Sequence, residues 1–384
     1  MNDNLIYLDN NATTKIDPRV LDVMMPFLTS EYGNAASNHK FGTKINQYIK
    51  EARANIAELI GCDDNEIIFT SGATEAINLA IKGVAECYAD KGKHIVTVTT
   101  EHPAVLDTCK YLEKKGYKIT YLPVETDGLL NLDLVKESIK EDTILISVML
   151  VNNETGIIQP IQEIAKIAHS KGVLFMTDAT QAVGKMSIDV NEIGIDLMSF
   201  SGHKFYGPKG IGALYVRSKR PNKVKLIPLL HGGGHESSYR SGTLNVPGII
   251  GLGKATVLAH VEMTMDAQKV IRLRDYMESQ LLKIDNTSVN GNTQQRLYNI
   301  SNICFKGADS DAIIIELKNI LVSNGSACTS SRVEPSHVLS AMGLSSVDCY
   351  SSLRFSLGKF NTLDEIEILL QSLNKIVLDL RQMN

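Results

Sequence analysis

An alternation of apolar runs with helical spacings is the feature that most constrains the fold of this chain. Stretches with helical periodicity separate most of the strand-like runs. These runs are residues 66–70, 94–100, 118–124, 143–151, 173–178, 197–201 and 212–216. The alternation predicts a mainly parallel sheet with helices on both faces. Several runs are almost continuously apolar, as expected for strands that are buried on both faces.

The regular alternation of strand-like and helical stretches ends in the last third of the sequence. A long charged helical segment at residues 261–284 leads into short strand-like runs and a terminal helix at residues 363–380. A chain of 384 residues is long enough for about two domains. We therefore predict an α/β fold whose large domain, residues 15–260, carries a mainly parallel seven-stranded sheet. Residues 1–14 and 261–384 are predicted to form a smaller α+β domain.

Composition excludes several classes of protein. A net charge of −4 provides no field that would attract nucleic acid or an anionic membrane. No run approaches the roughly 18 apolar residues of a membrane span, and residues 1–4 lack the basic start of a signal peptide. The six cysteines are scattered without a CxxC pair, which argues against a zinc site and a disulfide framework. We expect a cytoplasmic protein without a resident metal.

Polar residues follow several predicted strands, at the edge where open α/β sheets bind ligands. Residues 71–75 open a helix with small side chains, which suits a phosphate at the helix N-terminus, although an ordinary N-cap is an equal alternative. His102 follows the next strand, and a lone histidine there is more often structural. Asp178 ends an apolar strand, where a carboxylate needs a cationic partner. Lys204 follows another strand, where a lysine in a pocket can become a nucleophile.

These four features together match pyridoxal phosphate. The cofactor has a phosphate, an aromatic ring, a pyridine nitrogen and an aldehyde that condenses with lysine. An aspartate beside the nitrogen keeps it protonated, so that the ring can act as an electron sink. Each feature is weak alone, but their order and their shared position at strand ends favour this cofactor.

The motifs are similar to those of cysteine desulfurases of the NifS/IscS type, within the class-V aminotransferases and the fold type I pyridoxal-phosphate enzymes. The resemblance extends from residues 7–14 to residues 354–358, which is nearly the whole chain. The matched motifs lie at residues 70–75, 101–102, 151–154, 178–181, 199–212, 240–243 and 323–330. The resemblance implies an aspartate-aminotransferase-like fold and a pyridoxal-phosphate enzyme.

The resemblance also implies a role for each matched residue. Lys204 holds the cofactor as a Schiff base, and His102 stacks on the ring and helps to move protons. Asp178 pairs with the pyridinium nitrogen, and Gln181 binds the ring hydroxyl. The phosphate is held by Ala73, Thr74, Ser201 and His203, with Asn153 also a cofactor contact.

Substrate and subunit contacts follow from the same resemblance. Asn153 and Arg354 bind the substrate carboxylate, and the forked guanidinium suits two oxygens. From the residues alone, an exposed arginine is the favoured interpretation of Arg354. Thr243 reaches the phosphate of a neighbouring subunit, which implies a homodimer with composite sites.

Cys328 indicates which reaction to expect. Its neighbours are Ser, Asn, Gly, Ala and Thr, the composition of a mobile polar loop, where a thiolate can approach a substrate and withdraw. The resemblance implies that Cys328 takes sulfur from L-cysteine as a persulfide and leaves L-alanine. An acceptor protein then receives the sulfur for iron–sulfur clusters or for thiolation of tRNA or cofactors, and a cluster iron could transiently meet this thiol. The chain ends sooner than some relatives, which leaves the acceptor open.

Two other activities remain open at this stage. A selenocysteine lyase needs no protein nucleophile, and a degenerate nucleotide-binding or regulatory protein that has lost its chemistry would be colourless even with added pyridoxal phosphate. Residues 248–255 nearly match a nucleotide P-loop, but Ala255 lacks the hydroxyl that holds Mg²⁺, so a helix start with small packing residues is favoured. His231 and His235 flank three glycines, which indicates a glycine hinge rather than a metal site.

Overall fold

The computed structural model describes residues 5–219, 223–325 and 334–382. The strands in this part of the chain are β1 (Ile6–Tyr7), β2 (Ile67–Thr70), β3 (His94–Val98), β4 (Lys118–Leu122), β5 (Thr143–Ser147), β6 (Leu174–Asp178), β7 (Leu197–Ser201), β8 (Gly212–Val216), β9 (Thr287–Val289), β10 (Ile300–Phe305), β11 (Ile320–Leu321) and β12 (Ser352–Ser356).

Helices cover these strands and connect them. They are α1 (Pro18–Leu28), α2 (Lys40–Ile60), α3 (Ala73–Cys87), α4 (Pro103–Glu113), α5 (Leu132–Ser138), α6 (Ile161–Ser170), α7 (Val190–Ile193), α8 (Val246–Leu281), α9 (Ser310–Leu317), α10 (His337–Ala341), α11 (Ser346–Tyr350) and α12 (Leu363–Gln382). Short 3-10 turns lie at Asp64–Glu66, Gly202–Lys204 and Glu236–Ser238.

The large sheet has seven strands in the order β2-β8-β7-β6-β5-β3-β4. The five strands from β7 to β4 are parallel, whereas β8 runs antiparallel to both of its neighbours. The prediction of a mainly parallel, seven-stranded sheet is therefore confirmed. Because β2, β6 and β7 point the same way, the residues that follow them meet at one edge.

Helices bury both faces of this sheet, as the apolar strand composition predicts. Alternate residues of one strand enter different cores: Ile68 packs with α3 and α4, while its neighbour Phe69 packs with α2 and α8. On α2, buried residues recur every three or four positions from Ile45 to Ile60. The helix ends at Gly61, whose φ of 71° is the left-handed conformation that glycine adopts readily.

Helix α8 starts earlier than the sequence analysis predicts. The predicted helix at 261–284 is the second half of a helix that begins at Val246, with Pro247 in its first turn. The P-loop-like segment is thus a helix start, as favoured above. A Cβ on Gly253 would lie 2.6 Å from the Cβ of Ala52, so this glycine lets α8 pack closely on α2. Helix α8 passes through the predicted domain boundary, which stays a prediction.

A second core surrounds the three-stranded antiparallel sheet β12-β10-β9 and the pair β1-β11. The second half of α8 packs there with α12, and Ile6 and Leu8 from the N-terminal segment join the same core. The N-terminal segment therefore crosses from this core to the large sheet. No helix of the described residues is long and apolar enough to cross a membrane.

Candidate active site

A cavity of about 670 Å³ lies at the carboxyl edge of the large sheet. Among the described residues, it is lined by every residue predicted for the site except Thr243. The predicted residues in its wall are Ala73, Thr74, His102, Asn153, Asp178, Gln181, Ser201, His203, Lys204 and Arg354. Cys328 lies outside the described residues. The strand-end rule thus places residues that are far apart in the sequence around one cavity.

The N-terminus of α3 forms one wall of this cavity. Its N-cap, Gly72, supplies no side-chain hydrogen bond, so the N–H groups of the first turn lack a side-chain cap. Glu75 instead accepts a hydrogen bond from the main-chain N–H of Ser71 at 2.8 Å. A Cβ on Gly212 would lie 2.7 Å from the Cα of Gly72, so glycine permits this close approach of two backbones. The uncapped helix end suits a phosphate.

Asp178 ends β6 with only 4% of its surface exposed. Its Oδ1 accepts hydrogen bonds from the main chain of Thr180 at 2.9 Å, from the hydroxyl of Thr180 at 2.5 Å and from Ser199 at 3.5 Å. Among the described residues no hydrogen bond ends on Oδ2, and no cationic side chain pairs with the carboxylate. A buried carboxylate with one oxygen left to accept a hydrogen bond is suited to pair with a cationic ring N–H.

Glu101 is a second carboxyl group near Asp178. It is 1% exposed, its Oε1 accepts a hydrogen bond from the N–H of Met149 at 2.5 Å, and its Oε2 has no partner among the described residues. Burial, together with the negative charge of Asp178, raises the pKa of Glu101 well above its usual range. Burial and the neighbouring negative charge therefore favour the neutral form of Glu101.

Lys204 sits in the short turn after β7. Its Nζ donates to the main-chain carbonyls of Asn11 at 2.7 Å and Ala12 at 2.8 Å. Burial and the nearby charge of Arg354 lower the pKa of Lys204 to about 8. A fraction of this amine is therefore unprotonated near neutral pH, as a nucleophilic lysine requires.

His102 is the N-cap of α4, and its Nδ1 accepts a hydrogen bond from the N–H of Ala104 at 3.1 Å. Burial lowers the pKa of His102, so the ring is neutral near pH 7. With Nδ1 acting as an acceptor, Nε2 carries the proton. Burial also lowers the pKa of His203, to about 4, and its Nδ1 lies 3.0 Å from the hydroxyl of Thr13.

Arg354 enters the cavity from β12 of the three-stranded sheet. Its Nη2 lies 2.6 Å from Oδ1 of Asp9, and its Nη1 donates to the carbonyl of Asn153 at 3.0 Å. The side chain is 7% exposed, and its Nε has no partner among the described residues. The arginine is therefore a buried, oriented cation rather than the exposed residue that the local sequence favours.

The backbone of Arg354 also holds the start of the segment that leads to Cys328. Its N–H donates to the carbonyl of Ser323 at 2.6 Å, and its carbonyl accepts from the N–H of Ser323 at 3.3 Å. On the far side of the segment, Ser336 donates to Oε2 of the buried Glu154 at 2.5 Å. The described residues on both sides of positions 326–333 are thus held beside the cavity.

Thr243 lies on the loop that carries His231 and His235 and does not line the cavity of its own chain. Nδ1 of His235 accepts from the N–H of Gly242 at 3.3 Å, a structural contact. Arg240 pairs with Glu75 at 2.9 Å, which ties this loop to the start of α3. Among the described residues, no group of three His, Cys, Asp or Glu side chains could hold a metal ion.

Several residues in this region had no role in the sequence analysis. Asp9 pairs with Arg354, the carbonyl of Asn11 accepts from Lys204, and Thr180 holds Asp178. Residues 7–14 were part of the resemblance, and the run Asp9-Asn10-Asn11 after an apolar pair was a signal of a strand-end contact. Lys185 was also missed, because a lysine four positions after Gln181 resembles a surface residue in sequence.

The fold and the cavity define an enzyme of the class-V aminotransferase type. The chain belongs to this family, since the family model described as aminotransferase class-V matches residues 6–369. Members of the family in general depend on pyridoxal phosphate. The unpaired Oδ2 of Asp178, the uncapped start of α3 and the low pKa of Lys204 fit this cofactor.

Individual relatives narrow the similarity further. Cysteine desulfurase IscS of Pectobacterium carotovorum subsp. carotovorum (strain PC1) is 49% identical over 382 residues, which cover 99% of this chain and 94% of the relative. A solved structure of a NifS-like protein has a TM-score of 0.91 at 37% identity and covers 98% of this chain and 100% of its own. The solved structure of SspA in complex with cysteine has a TM-score of 0.82 at 37% identity and covers 93% of this chain and 100% of its own. The resemblance drawn from the motifs is confirmed.

Proposed function

We propose that this chain is a pyridoxal-phosphate-dependent cysteine desulfurase. It takes sulfur from L-cysteine, releases L-alanine and transfers the sulfur through Cys328 to an acceptor protein. One observation carries the proposal: a single cavity combines the amine of Lys204, the N-terminus of α3 without a side-chain cap, and the carboxylate of Asp178, whose Oδ2 accepts no hydrogen bond from the described residues. The similarity to cysteine desulfurases over 99% of the chain supports cysteine as the substrate.

Bound pyridoxal phosphate supplies an electron sink that makes the Cα–H bond of an amino acid acidic. In this chain, α3 and Ser201 would bind the phosphate, and Asp178 would hold the proton on the pyridine nitrogen. Lys204, with a pKa of about 8, is the amine that would bind the aldehyde. Its hydrogen bonds to Asn11 and Ala12 direct Nζ toward the N-terminal segment, so the amine has a defined position before reaction.

The substrate carboxylate would bind Arg354 and the side chain of Asn153. Arg354 is fixed by Asp9 and by the carbonyl of Asn153, so its guanidinium is oriented before substrate arrives. His102 would stack on the ring and, because its Nε2 carries the proton, is suited to donate that proton.

Sulfur transfer would then use Cys328 as the nucleophile, in the thiolate form left when its thiol gives up a proton. A bond forms between Sγ of Cys328 and the substrate sulfur while the substrate C–S bond breaks, and its electron pair stays on carbon. That carbon takes a proton and becomes the methyl group of alanine. The products are a Cys328 persulfide and L-alanine, so atoms and electrons balance without an added oxidant.

A homodimer is the assembly we propose. Thr243 is exposed and lies outside the cavity of its own chain, which is consistent with a contact to a partner's phosphate. The sulfur acceptor would be an iron–sulfur scaffold or a thiolation protein. The described cysteines are free thiols, which fits a reducing cytoplasm.

The test is sulfur release from L-cysteine by the cofactor-loaded protein, with L-alanine quantified in the same samples. We expect equal amounts of sulfide and alanine under reducing conditions, and persulfide on the peptide that contains Cys328. Cys328→Ala should abolish sulfur transfer without removing the visible absorbance of the cofactor. Full sulfur release by Cys328→Ala would indicate a selenocysteine lyase instead, and a wild-type protein that stays colourless with added cofactor would contradict the proposal entirely.

A further inference from the structure

A buried lysine that takes no part in the proposed chemistry lies behind the cavity. Lys185 is 5% exposed, and among the described residues it forms no ion pair with a carboxylate. Burial, together with the like charges of Lys204 and Arg354, lowers the pKa of Lys185 to about 7. An amine in such a place is costly unless its hydrogen bonds are satisfied. The hydrogen bond that satisfies this amine therefore indicates the role of Lys185.

Lys185 contacts the residue four positions before it in a helical turn that follows β6. The turn is closed by hydrogen bonds such as that from the N–H of Met186 to the carbonyl of Ala182 at 3.1 Å. Side chains four residues apart share one face of such a turn. As a result, Nζ of Lys185 donates to Oε1 of Gln181 at 2.8 Å, and both side chains are buried.

This contact determines which way the amide of Gln181 points. The N–H groups of Lys185 donate in both the amine and the ammonium form, so the amide oxygen of Gln181 faces Nζ. The amide NH₂ is thereby directed to the carbonyl of Asn11, at 2.9 Å. The same carbonyl accepts from Nζ of Lys204 at 2.7 Å. Hydrogen bonds thus connect Lys185, through Gln181 and Asn11, to the amine that would bind the cofactor.

We propose that Lys185 is a positioning residue that fixes the orientation of the Gln181 amide and, through the carbonyl of Asn11, the position of Lys204. The proposal rests on the proposed function, since Gln181 is the residue assigned to the ring hydroxyl of the cofactor. Without the donor of Lys185, Oε1 of Gln181 loses its partner, and the amide is held only by its hydrogen bond to the Asn11 carbonyl. The position of the NH₂ group beside the cavity is then less well defined.

The first measurement is the pH midpoint of the visible absorbance change of the cofactor-loaded enzyme, in wild type and Lys185→Met. Methionine has a similar length and no donor. A donor held at the ring hydroxyl favours the deprotonated form of the bound cofactor, so Lys185→Met, which loosens that donor, should raise the midpoint by about one pH unit. Lys185→Gln, which keeps a donor, should recover part of this shift. An unchanged midpoint in Lys185→Met would overturn the proposal.

A double-mutant cycle separates positioning from a direct effect of charge. If Lys185 acts through Gln181, Lys185→Met should add no further shift in a Gln181→Ala background. An equal shift in both backgrounds would show that the lysine acts through space, and the positioning role would be wrong. Should Lys185→Met not fold, Lys185→Leu, which also lacks a donor, carries the same cycle.

Lys359→Met is the matched control. Lys359 is another internal lysine, with 8% of its side chain exposed and Asp17 at 2.8 Å, but it does not line the cavity. Its loss should lower the melting temperature and leave the absorbance midpoint unchanged. If Lys359→Met shifted the midpoint as much as Lys185→Met, both shifts would reflect a general loosening of the fold. That result would overturn the proposal.

A measurement without cofactor keeps this proposal separate from the proposed function. In the apo-protein, the rate at which Lys204 is acylated can be followed by peptide mass spectrometry. Lys185→Met should change this rate several-fold at pH 8, whereas Lys359→Met should not. If wild type binds no pyridoxal phosphate, the proposed function fails, but this labelling still decides whether Lys185 positions Lys204. Equal labelling of wild type and Lys185→Met would contradict the positioning role.

Discussion

The two sheets beside the cavity contribute to it in different ways. The seven-stranded sheet contributes from its ends: Asp178 closes β6, and Lys204 follows β7 by three residues. The three-stranded sheet contributes from the middle of a strand, because Arg354 is the central residue of β12. The first set is placed by short local connections. The second is placed by contacts between distant segments, such as Arg354 with Asp9 at 2.6 Å.

This difference suggests a division of work. In the proposed function, residues at the ends of the large sheet bind the cofactor, and their loss should affect the chemical step. Arg354, which pairs with Asp9, would bind the substrate carboxylate, so loss of either residue should affect substrate binding. Variants in the two groups of residues therefore test whether the chemical step and substrate binding can be changed separately.

Lys204→Ala should have the largest effect and tests the first role. Without the amine, the cofactor has no covalent attachment, so kcat should fall by about a thousandfold or more. Reduction with borohydride should add the cofactor mass to the peptide of residue 204 in wild type and not in the variant. A variant that still turns over at a tenth of the wild-type rate would place the nucleophile elsewhere.

Asp178→Asn should have the second-largest effect. Asparagine keeps the shape but removes the charge that stabilises a protonated ring nitrogen, so kcat should fall by about a hundredfold. Some cofactor should remain bound, because the phosphate and lysine contacts are intact. Stopped-flow absorbance with L-cysteine measures the affected step directly. Unchanged turnover would remove Asp178 from its assigned role and weaken the division between the two sheets.

Arg354→Ala tests the second role. It removes charged hydrogen bonds worth about 1.5–3 kcal/mol, so KM for L-cysteine should rise about tenfold to a hundredfold with a smaller change in kcat. Asp9→Asn is the matched variant: it keeps Arg354 but removes its anionic partner, and KM should change by only a few-fold. A main effect of Arg354→Ala on kcat would mean that the two roles are not separable.

The sequence allows the first group to be predicted because its positions are local. Asp178 follows an apolar run and Lys204 follows another, so the strand-end rule brings them to one edge without knowledge of tertiary contacts. The start of α3 is recognisable for the same reason, from small residues between a strand and a helix. For these residues the sequence analysis anticipated the location that the structure shows.

The second group depends on contacts that no local pattern encodes. Asp9 and Arg354 are 345 positions apart, and their pairing follows from how the N-terminal segment crosses between two cores. Without the family resemblance, Arg354 reads as an exposed arginine. Lys185 was missed because its burial depends on the packing of the whole turn after β6. The helix start at 248–255 and the helix at 261–284 are one continuous helix, α8, and the sequence analysis did not join them.

A pH measurement sharpens the comparison, because Arg354 also acts on Lys204. The pKa of Lys204 is about 8 in the folded chain, lowered by burial and by Arg354, against 10.5 for an unperturbed lysine. Between these values the folded state binds fewer protons than the unfolded state, so stability rises with pH there. Relative to Lys204→Met, the apo wild type should gain about 1 kcal/mol in the free energy of unfolding from pH 8 to pH 9. Urea unfolding at several pH values measures this gain.

The same measurement in an Arg354→Met background tests whether the two sheets act independently. Removing the guanidinium raises the pKa of Lys204, so the rise in stability should begin at higher pH and the gain between pH 8 and pH 9 should shrink. Lys209→Met, which removes an exposed lysine from the same loop, should leave the difference from wild type constant over this range. A gain that is identical with and without Arg354 would mean that burial alone sets the state of Lys204. The contribution of the three-stranded sheet would then be confined to the substrate.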